Sequence, residues 1–321
     1  MSAYRLAPAH VHTIVTAALA HAEATHTIPD LHHLRHAATH RTAGDLTTLT
    51  RRVTPTAAWT DLVVPDHVRT QLHDLALRAR YRPRVLGEWG LRPGALRGHG
   101  IAALFTGEPG TGKTLAAEVL ATDLGLNLYI VNLATVLDKY IGETEKHLDT
   151  LFTHATTLNG LLLFDEADAV FGKRTDTKDA HDRHANTQVS YLLQRLEAFD
   201  GIVILTSNLT ANIDPAFTRR LDQIIHFPLP TETDRLALWN LCLGPHLPRD
   251  PGLDLRLIAV TFPLPGGSIR NAATNAAYHA AHTGRALTTT DLITGIEIEY
   301  RKTGRLIDDD TFHPTPTPTH P

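Results

Sequence analysis

A glycine-rich stretch holds the residues of this chain that are best suited to chemistry. Residues 107–114 read Gly-Glu-Pro-Gly-Thr-Gly-Lys-Thr, which fulfils the pattern G-x-x-x-x-G-K-[ST] and directly follows the largely apolar run 101–106. In such a loop, glycines let backbone N–H groups close around phosphate oxygens, a lysine reaches the outer phosphates, and a hydroxyl helps to hold Mg²⁺. The sequence therefore predicts a nucleotide phosphate site formed by Gly107, Pro109, Gly110, Thr111, Gly112, Lys113 and Thr114.

Two carboxylates end another predicted apolar strand. The run 161–164 is Leu-Leu-Leu-Phe and leads into Asp165 and Glu166, as in a buried strand that ends at acidic residues. Asp165 is predicted to hold Mg²⁺ together with Thr114, and Glu166 to act as the general base for an attacking water. Taken alone, an Asp-Glu pair would more often cap the next helix, but its position after a phosphate loop favours hydrolysis.

Polar residues also follow a further apolar strand, 202–206. Ser207 and Asn208 come directly after it, and the asparagine amide is suited to hold an attacking water or to sense the γ-phosphate. Downstream lie the adjacent residues Arg219 and Arg220. Arginine stabilises the charge of a transferring phosphoryl group, often from a neighbouring subunit, although a lone pair of this kind is more often solvated.

The order of these motifs, from about Trp59 to Arg305, resembles that of the AAA+ ATPases. The resemblance implies ATP and Mg²⁺ as cofactors, ATP hydrolysis as the activity, and a homo-oligomeric ring, predicted to be a hexamer. It also implies roles for single residues, which are sensor 1 (Asn208), the main arginine finger and its companion (Arg220 and Arg219), sensor 2 (Arg270), the adenine contact (Asp61, Leu62 and Val63) and the restraint on the catalytic glutamate (Asn132).

The resemblance implies an α/β fold in which a P-loop NTPase parallel sheet is flanked by helices and followed by a small all-helical lid. Apolar strands that alternate with helical patterns between residues 101 and 228 agree with it. The expected domains are a helical N-terminal module (1–55), the nucleotide-binding domain (56–229), the helical lid (230–305) and a disordered Pro-Thr tail (306–321).

A loop with an aromatic residue indicates what kind of substrate the protein would act on. Residues 138–146 are similar to the first pore loop of unfoldase and severing members, in which Tyr140 and Ile141, with Lys139 beside them, would grip a threaded polypeptide. Packing of Tyr140 and Ile141 onto the core is the alternative, because single exposed apolar residues are ordinary.

Two features differ from the katanin-like severing enzymes. The segment 219–223 reads Arg-Arg-Leu-Asp-Gln and lacks their longer Gly-Arg-Phe-Asp stretch, while Arg270 supplies a sensor that they usually lack. Segments 172–174 and 190–195 instead resemble a bacterial subgroup of which some members accompany contractile injection systems.

Composition narrows the choice of partner and compartment. A net charge of −4 gives no basic surplus for a nucleic-acid backbone. A single cysteine, Cys242, excludes an intrachain disulfide. With no apolar run of about 20 residues, we expect a cytoplasmic protein without a membrane segment. In the N-terminal module, His32 and His36 have metal-ligand spacing, but no nearby acid or cysteine completes a ligand set.

The sequence as a whole predicts an ATP-driven remodeller or unfoldase that acts on a protein client. Two other classes stay open, namely a motor or loader that acts on nucleic acid and an assembly scaffold that uses ATP as a switch. Glu166 argues against a pure switch, because a general base serves hydrolysis.

Overall fold

The computed structural model describes residues 8–25, 27–30, 33–34, 50–91, 100–133, 144–158, 160–168, 190–208 and 218–304. The chain divides into two compact units. The first unit comprises Met1–Trp59, Arg69–Thr106 and Lys113–His226, and the second comprises Thr60–Val68, Gly107–Gly112 and Phe227–Pro321. The phosphate-loop glycines and the segment that contains Asp61 thus belong to the same unit as the C-terminal helices.

The described helices and strands have the following bounds. The strands are β1 (Arg51–Val53), β2 (Ile101–Gly107), β3 (Asn127–Asn132), β4 (Gly160–Asp165), β5 (Ile202–Ser207) and β6 (Gln223–Phe227). The helices are α1 (Pro8–Ala24), α2 (Asp66–Arg82), α3 (Lys113–Leu124), α4 (Thr144–Leu158), α5 (Glu232–Leu243), α6 (Leu255–Thr261), α7 (Gly266–Thr283) and α8 (Thr289–Lys302). A 3₁₀ turn (Trp59–Asp61) precedes α2, and a π-helical turn (Pro83–Glu88) follows it.

The strands form one six-stranded sheet in the order β1-β3-β4-β5-β2-β6. Strands β3, β4, β5 and β2 are parallel neighbours, whereas β1 pairs with β3 in the antiparallel sense. Every residue of β2 and β5 is buried, as expected for parallel strands with both faces covered. The predicted α/β fold with a helical C-terminal region is confirmed, with the difference that the sheet is mixed.

The core of the first unit packs helix side chains against this sheet. Helix α4 contributes Leu148, Leu151, Phe152 and Ala155 from one face, in keeping with the i, i+3, i+4, i+7 spacing of an amphipathic helix. The ring of Phe152 lies 5.8 Å from that of Phe164 in β4. This packing fixes the strand that carries the predicted acids.

The second unit has a separate core. Trp239 in α5, Ile269 in α7 and Ile296 in α8 are all completely buried there. Helices α7 and α8 approach closely, since a Cβ on Gly295 would lie 2.4 Å from the carbonyl oxygen of Ala272. Helices α5, α6, α7 and α8 make up the described C-terminal part of the chain, in agreement with the helical C-terminal region that the sequence predicts.

The N-terminal part is described only in places. Helix α1 lies within the segment 1–55, which the sequence predicts to be helical. His32 and His36 lie outside the described residues. In the described part of the chain, no cluster of three or more His, Cys, Asp or Glu side chains could hold a metal ion. In the same part, no helix is both long and apolar enough for a membrane crossing.

Candidate nucleotide site

The backbone of the phosphate loop adopts conformations that favour glycine. Strand β2 ends at Gly107, whose φ is 144°, and Gly110 and Gly112 have φ values of 78° and 100°. A side chain would be strained at each of these φ angles. The hydroxyl of Thr111 donates to the carbonyl of Glu108 at 2.8 Å and closes the turn. The sequence requirement for glycine thus has a direct conformational cause.

Two other predicted parts of the site lie in the same unit as this loop. The amide N–H of Gly267, in the first turn of α7, donates to the carbonyl of Gly110 at 2.9 Å. Leu62 is buried, and its Cδ1 lies 3.7 Å from the position of a Cβ built on Gly112. The segment predicted to contact adenine is therefore next to the loop, while Asp61 is exposed and Val63 is half-buried.

Arg270 lies near the start of α7 with an exposed side chain. It contacts the thiol of Cys242 in α5. Burial raises the pKa of Cys242, and the charge and hydrogen bond of Arg270 oppose that rise in part. The predicted sensor arginine is thus on the helix that contacts the loop, with its guanidinium beside a half-buried thiol.

In the first unit, Lys113 begins α3 and is buried to 8% exposure. Its Nζ donates a hydrogen bond of 3.0 Å to Oδ1 of Asn208. Thr114, the next residue, is exposed. The structure thereby brings together two residues that are 95 positions apart and that the sequence assigned to the same site.

Asp168 was not predicted as a site residue, yet it holds Asn208. Its Oδ1 accepts from the Ser207 hydroxyl at 2.6 Å and from the Asn208 N–H at 2.8 Å, and its Oδ2 accepts from Asn208 Nδ2 at 3.2 Å. The only sequence signal is a third acid three residues after Asp165, in the run Asp-Glu-Ala-Asp. Its partner is on the neighbouring strand, which spacing alone does not show.

The two predicted acids differ in their surroundings. The Thr206 hydroxyl donates a short hydrogen bond to Asp165, and it accepts one of 3.3 Å from the backbone N–H of Glu166. Glu166 is exposed and has a φ of 56°, the one positive φ of a non-glycine residue in the described chain. Such a conformation costs on the order of 1–3 kcal/mol and is often found at functional sites.

Asn132 lies at the end of β3, in register with Asp165 at the end of β4. Its backbone is therefore next to that of the acidic pair, on the parallel neighbour. The predicted pore-loop residues Lys139, Tyr140 and Ile141 lie outside the described residues.

The two predicted finger residues have different environments. Arg220 Nε donates to Glu197 Oε1 at 2.7 Å, and both side chains are partly buried. Arg219 is exposed. Arg220 therefore has an acidic partner within its own subunit, which sequence analysis did not anticipate.

Comparison with known proteins agrees with this geometry. Residues 103–229 match the model of the ATPase family associated with various cellular activities (AAA). These residues form an AAA ATPase domain. The domain includes the phosphate loop, both acids, Asp168, Asn208 and the arginine pair.

Among curated relatives of the AAA domain are two ATPases named for the proteasome. The 26S proteasome subunit RPT4 of Saccharomyces cerevisiae is 29% identical over 211 residues, or 63% of this chain and 47% of the relative. The proteasome-activating nucleotidase of Aeropyrum pernix is 33% identical over 227 residues, or 67% and 53% of the two chains. An uncharacterized AAA family ATPase from Sinorhizobium fredii, y4kL, is 31% identical over 179 residues, 54% of each chain. The chain thus spans about half the length of these relatives.

Proposed function

We propose that this protein hydrolyses ATP to remodel protein substrates and that it works as an oligomeric ring. The observation that carries the proposal is the meeting of Lys113, Asn208 and Asp168, on adjacent elements of an AAA domain whose β4 ends in Asp165. A lysine suited to bind phosphate, a polar amide and an acid suited to hold a metal ion belong to the same unit, which supports the proposal.

The residues present fit MgATP. The loop glycines have positive φ angles and carry no Cβ that would cover the backbone N–H groups, and Lys113 continues directly from Gly112. Thr114 and Asp165 would hold Mg²⁺, which supplies charge neutralisation at the phosphates. Lys113 would exchange the oxygen of Asn208 for phosphate oxygens, since an ammonium group prefers a charged acceptor.

Hydrolysis needs a base and a charge clamp. Glu166 would take the proton of the attacking water, while Asn208 would orient that water through its amide oxygen. Arg219 and Arg220 would reach the nucleotide of a neighbouring subunit, which is why a ring, expected to be a hexamer, is part of the proposal. Arg270 would sense the nucleotide from α7, and Asn132 would restrain Glu166 until a substrate is engaged.

The choice of a protein client is supported by the relatives named for the proteasome. Lys139, Tyr140 and Ile141 would grip the threaded chain. A closer tie to katanin-like severing enzymes, or to bacterial members that accompany contractile injection systems, belongs to this proposal and rests on the motifs alone.

Steady-state ATPase measurements with and without an unfolded protein test the proposal. We expect turnover in the parent, loss of turnover but retained ATP binding in Glu166→Gln, and parental turnover in Glu88→Gln, which is the same change at an exposed surface pair. Tyr140→Ala should lose stimulation by unfolded protein, whereas Tyr278→Ala, at an exposed tyrosine of the second unit, should keep it. Stimulation by DNA in place of protein, or parental turnover in Glu166→Gln, would contradict the proposal.

A further inference from the structure

We infer that Asp168 is a positioning residue for ATP hydrolysis, because it fixes the amide of Asn208 with its oxygen toward Lys113. The inference rests on the proposed function of the site and adds to it a residue that acts through Asn208. Asp168 is three residues beyond Asp165, in the first unit.

The anchor of Asp168 is itself well defined. The N–H of Ala167 donates to the Thr206 carbonyl at 2.9 Å, which ties the end of β4 to that of β5. One oxygen of Asp168 then accepts both the Ser207 hydroxyl and the Asn208 N–H, at 2.6 Å and 2.8 Å. Three hydrogen bonds thus connect the two strand ends. Two of them are accepted by Oδ1 of Asp168, so Oδ2 is left for a further contact.

The second oxygen determines which way the amide faces. Asn208 Nδ2 donates to Asp168 Oδ2 at 3.2 Å, and Asn208 Oδ1 accepts from Lys113 Nζ at 3.0 Å. In the flipped amide, the NH₂ group would face the ammonium of Lys113 and the oxygen would face the carboxylate. Two donors would then face each other at Lys113, and two acceptors at Asp168, since a carboxylate only accepts and an ammonium only donates.

The consequence for catalysis follows from the exposed position of Asn208. Little packing surrounds this side chain, so its orientation depends on these two hydrogen bonds. With the oxygen fixed toward Lys113, Asn208 offers an acceptor in the same place when Lys113 moves to the phosphates. An acceptor at this position would receive a hydrogen bond from the attacking water and thereby turn a lone pair of that water toward the γ-phosphorus.

Asp168→Asn tests this orientation with almost no change of shape. The new side chain can still accept from Ser207 and from the Asn208 N–H, but its NH₂ group opposes that of Asn208. We expect kcat to fall by about 10- to 100-fold, while the Kd for ATP changes by less than about threefold and the melting temperature stays near the parental value. Asp123→Asn, the same change in an exposed ion pair with Arg80, should leave kcat unchanged.

A second variant asks whether the effect passes through Asn208. If Asp168 acts only by orienting that amide, Asn208→Ala and the double variant Asp168→Asn/Asn208→Ala will have the same kcat, because coupled residues are not additive. A further loss of about tenfold in the double variant would overturn the inference.

A readout without nucleotide separates this inference from the proposed ATPase. The side-chain ¹⁵NH₂ signal of Asn208, assigned by its absence in Asn208→Ala, should shift in Asp168→Asn and stay in place in Asp123→Asn. An unshifted signal would overturn the positioning role even if ATP is hydrolysed. If the signal shifts but the parent protein does not hydrolyse ATP, Asp168 still positions Asn208, and the proposed ATPase activity is refuted.

Discussion

The amide N–H of Gly267 donates a hydrogen bond of 2.9 Å to the carbonyl of Gly110. This contact joins the phosphate loop to the first turn of α7, the helix that carries Arg270. The two backbones approach so closely that a Cβ on Gly267 would lie 3.1 Å from Gly110 Cα. A side chain at position 267 would therefore require Gly110 to shift by a few tenths of an ångström.

Gly267→Ala should weaken nucleotide binding without weakening the helix. Alanine favours a helix over glycine by about 0.5–1 kcal/mol, so a loss of affinity would come from displacement of Gly110. We expect a Kd for ATP several-fold higher than that of the parent, measured by titration with a fluorescent analogue. Ser268→Ala, in the same turn, serves as the control, and equal affinities for the two variants would refute the role of the contact.

Variants at the ion pair between Arg220 and Glu197 distinguish a structural role of the arginine from a catalytic one. Glu197→Gln removes the intrasubunit partner and should retain ATPase activity, whereas Arg220→Met should abolish it if Arg220 acts on a neighbouring nucleotide. Since both side chains keep some exposure, either change should cost less than about 1 kcal/mol of unfolding free energy. Activity lost in Glu197→Gln but kept in Arg220→Met would exclude Arg220 as the finger.

Asp291 is expected to make the stability of the second unit depend on pH. Its carboxylate accepts from both Nη atoms of Arg285, at 2.6 Å and 2.8 Å, and from Thr288. The hydrogen bonds from Arg285 are the main cause that holds the pKa of Asp291 well below its ordinary value near 3.8. Because the folded pKa is lowered, the stabilisation is complete above that ordinary value and is lost as the pH falls below it.

Urea titrations of Asp291→Asn should therefore show a loss of about 1–3 kcal/mol at pH 7. The difference from the parent should shrink as the pH falls from about 5 to below 3. Arg301→Gln, which removes a 3.7 Å pair between an exposed arginine and Glu297 in the same helix, serves as a control with little effect. A difference that stays constant over this pH range would rule out ionisation of Asp291 as the cause.

Cys242 should report on Arg270 through its reactivity. Burial raises the pKa of the Cys242 thiol and Arg270 lowers it, so Arg270→Met should raise that pKa further while keeping a side chain of similar length. We expect slower alkylation by iodoacetamide at pH 8 and a rate profile displaced to higher pH, because the thiolate is the reacting form. Arg256→Met, at another exposed arginine of the second unit, is the matched control. An undisplaced profile in Arg270→Met would contradict the contact.

The buried strands could be predicted because burial on both faces requires apolar residues at successive positions of the sequence. Parallel strands covered on both faces, such as β4 and β5, are written as continuous apolar runs. By contrast, β1 is only three residues long and begins with two exposed arginines, so it carries no apolar signal and falls within a segment predicted to be helical. Strand β6 alternates exposed and buried residues and was not recognised as a separate strand.

Candidate site residues can be predicted from the sequence where the expected role depends on the residue's own type and on local spacing. The phosphate-loop glycines and the acids Asp165 and Glu166 at the end of β4 belong to this group. The roles of Asp168 and Glu197 depend instead on partners in other elements, Asn208 and Arg220, which are 40 and 23 positions away in the sequence. Local sequence patterns contain no information on such pairings, which arise only when the sheet and its helices pack.

The antiparallel pairing of β1 with β3 links the N-terminal segment to a strand that precedes the predicted pore loop. Arg51–Val53 pair with Leu128–Ile130 through only three registered positions, and the chain runs from the end of β3 toward Tyr140. A displacement of the N-terminal segment would therefore reach the described sheet through β3. Because β1 is an edge strand of that sheet, its separation would leave the parallel pairings of β3, β4, β5 and β2 in place.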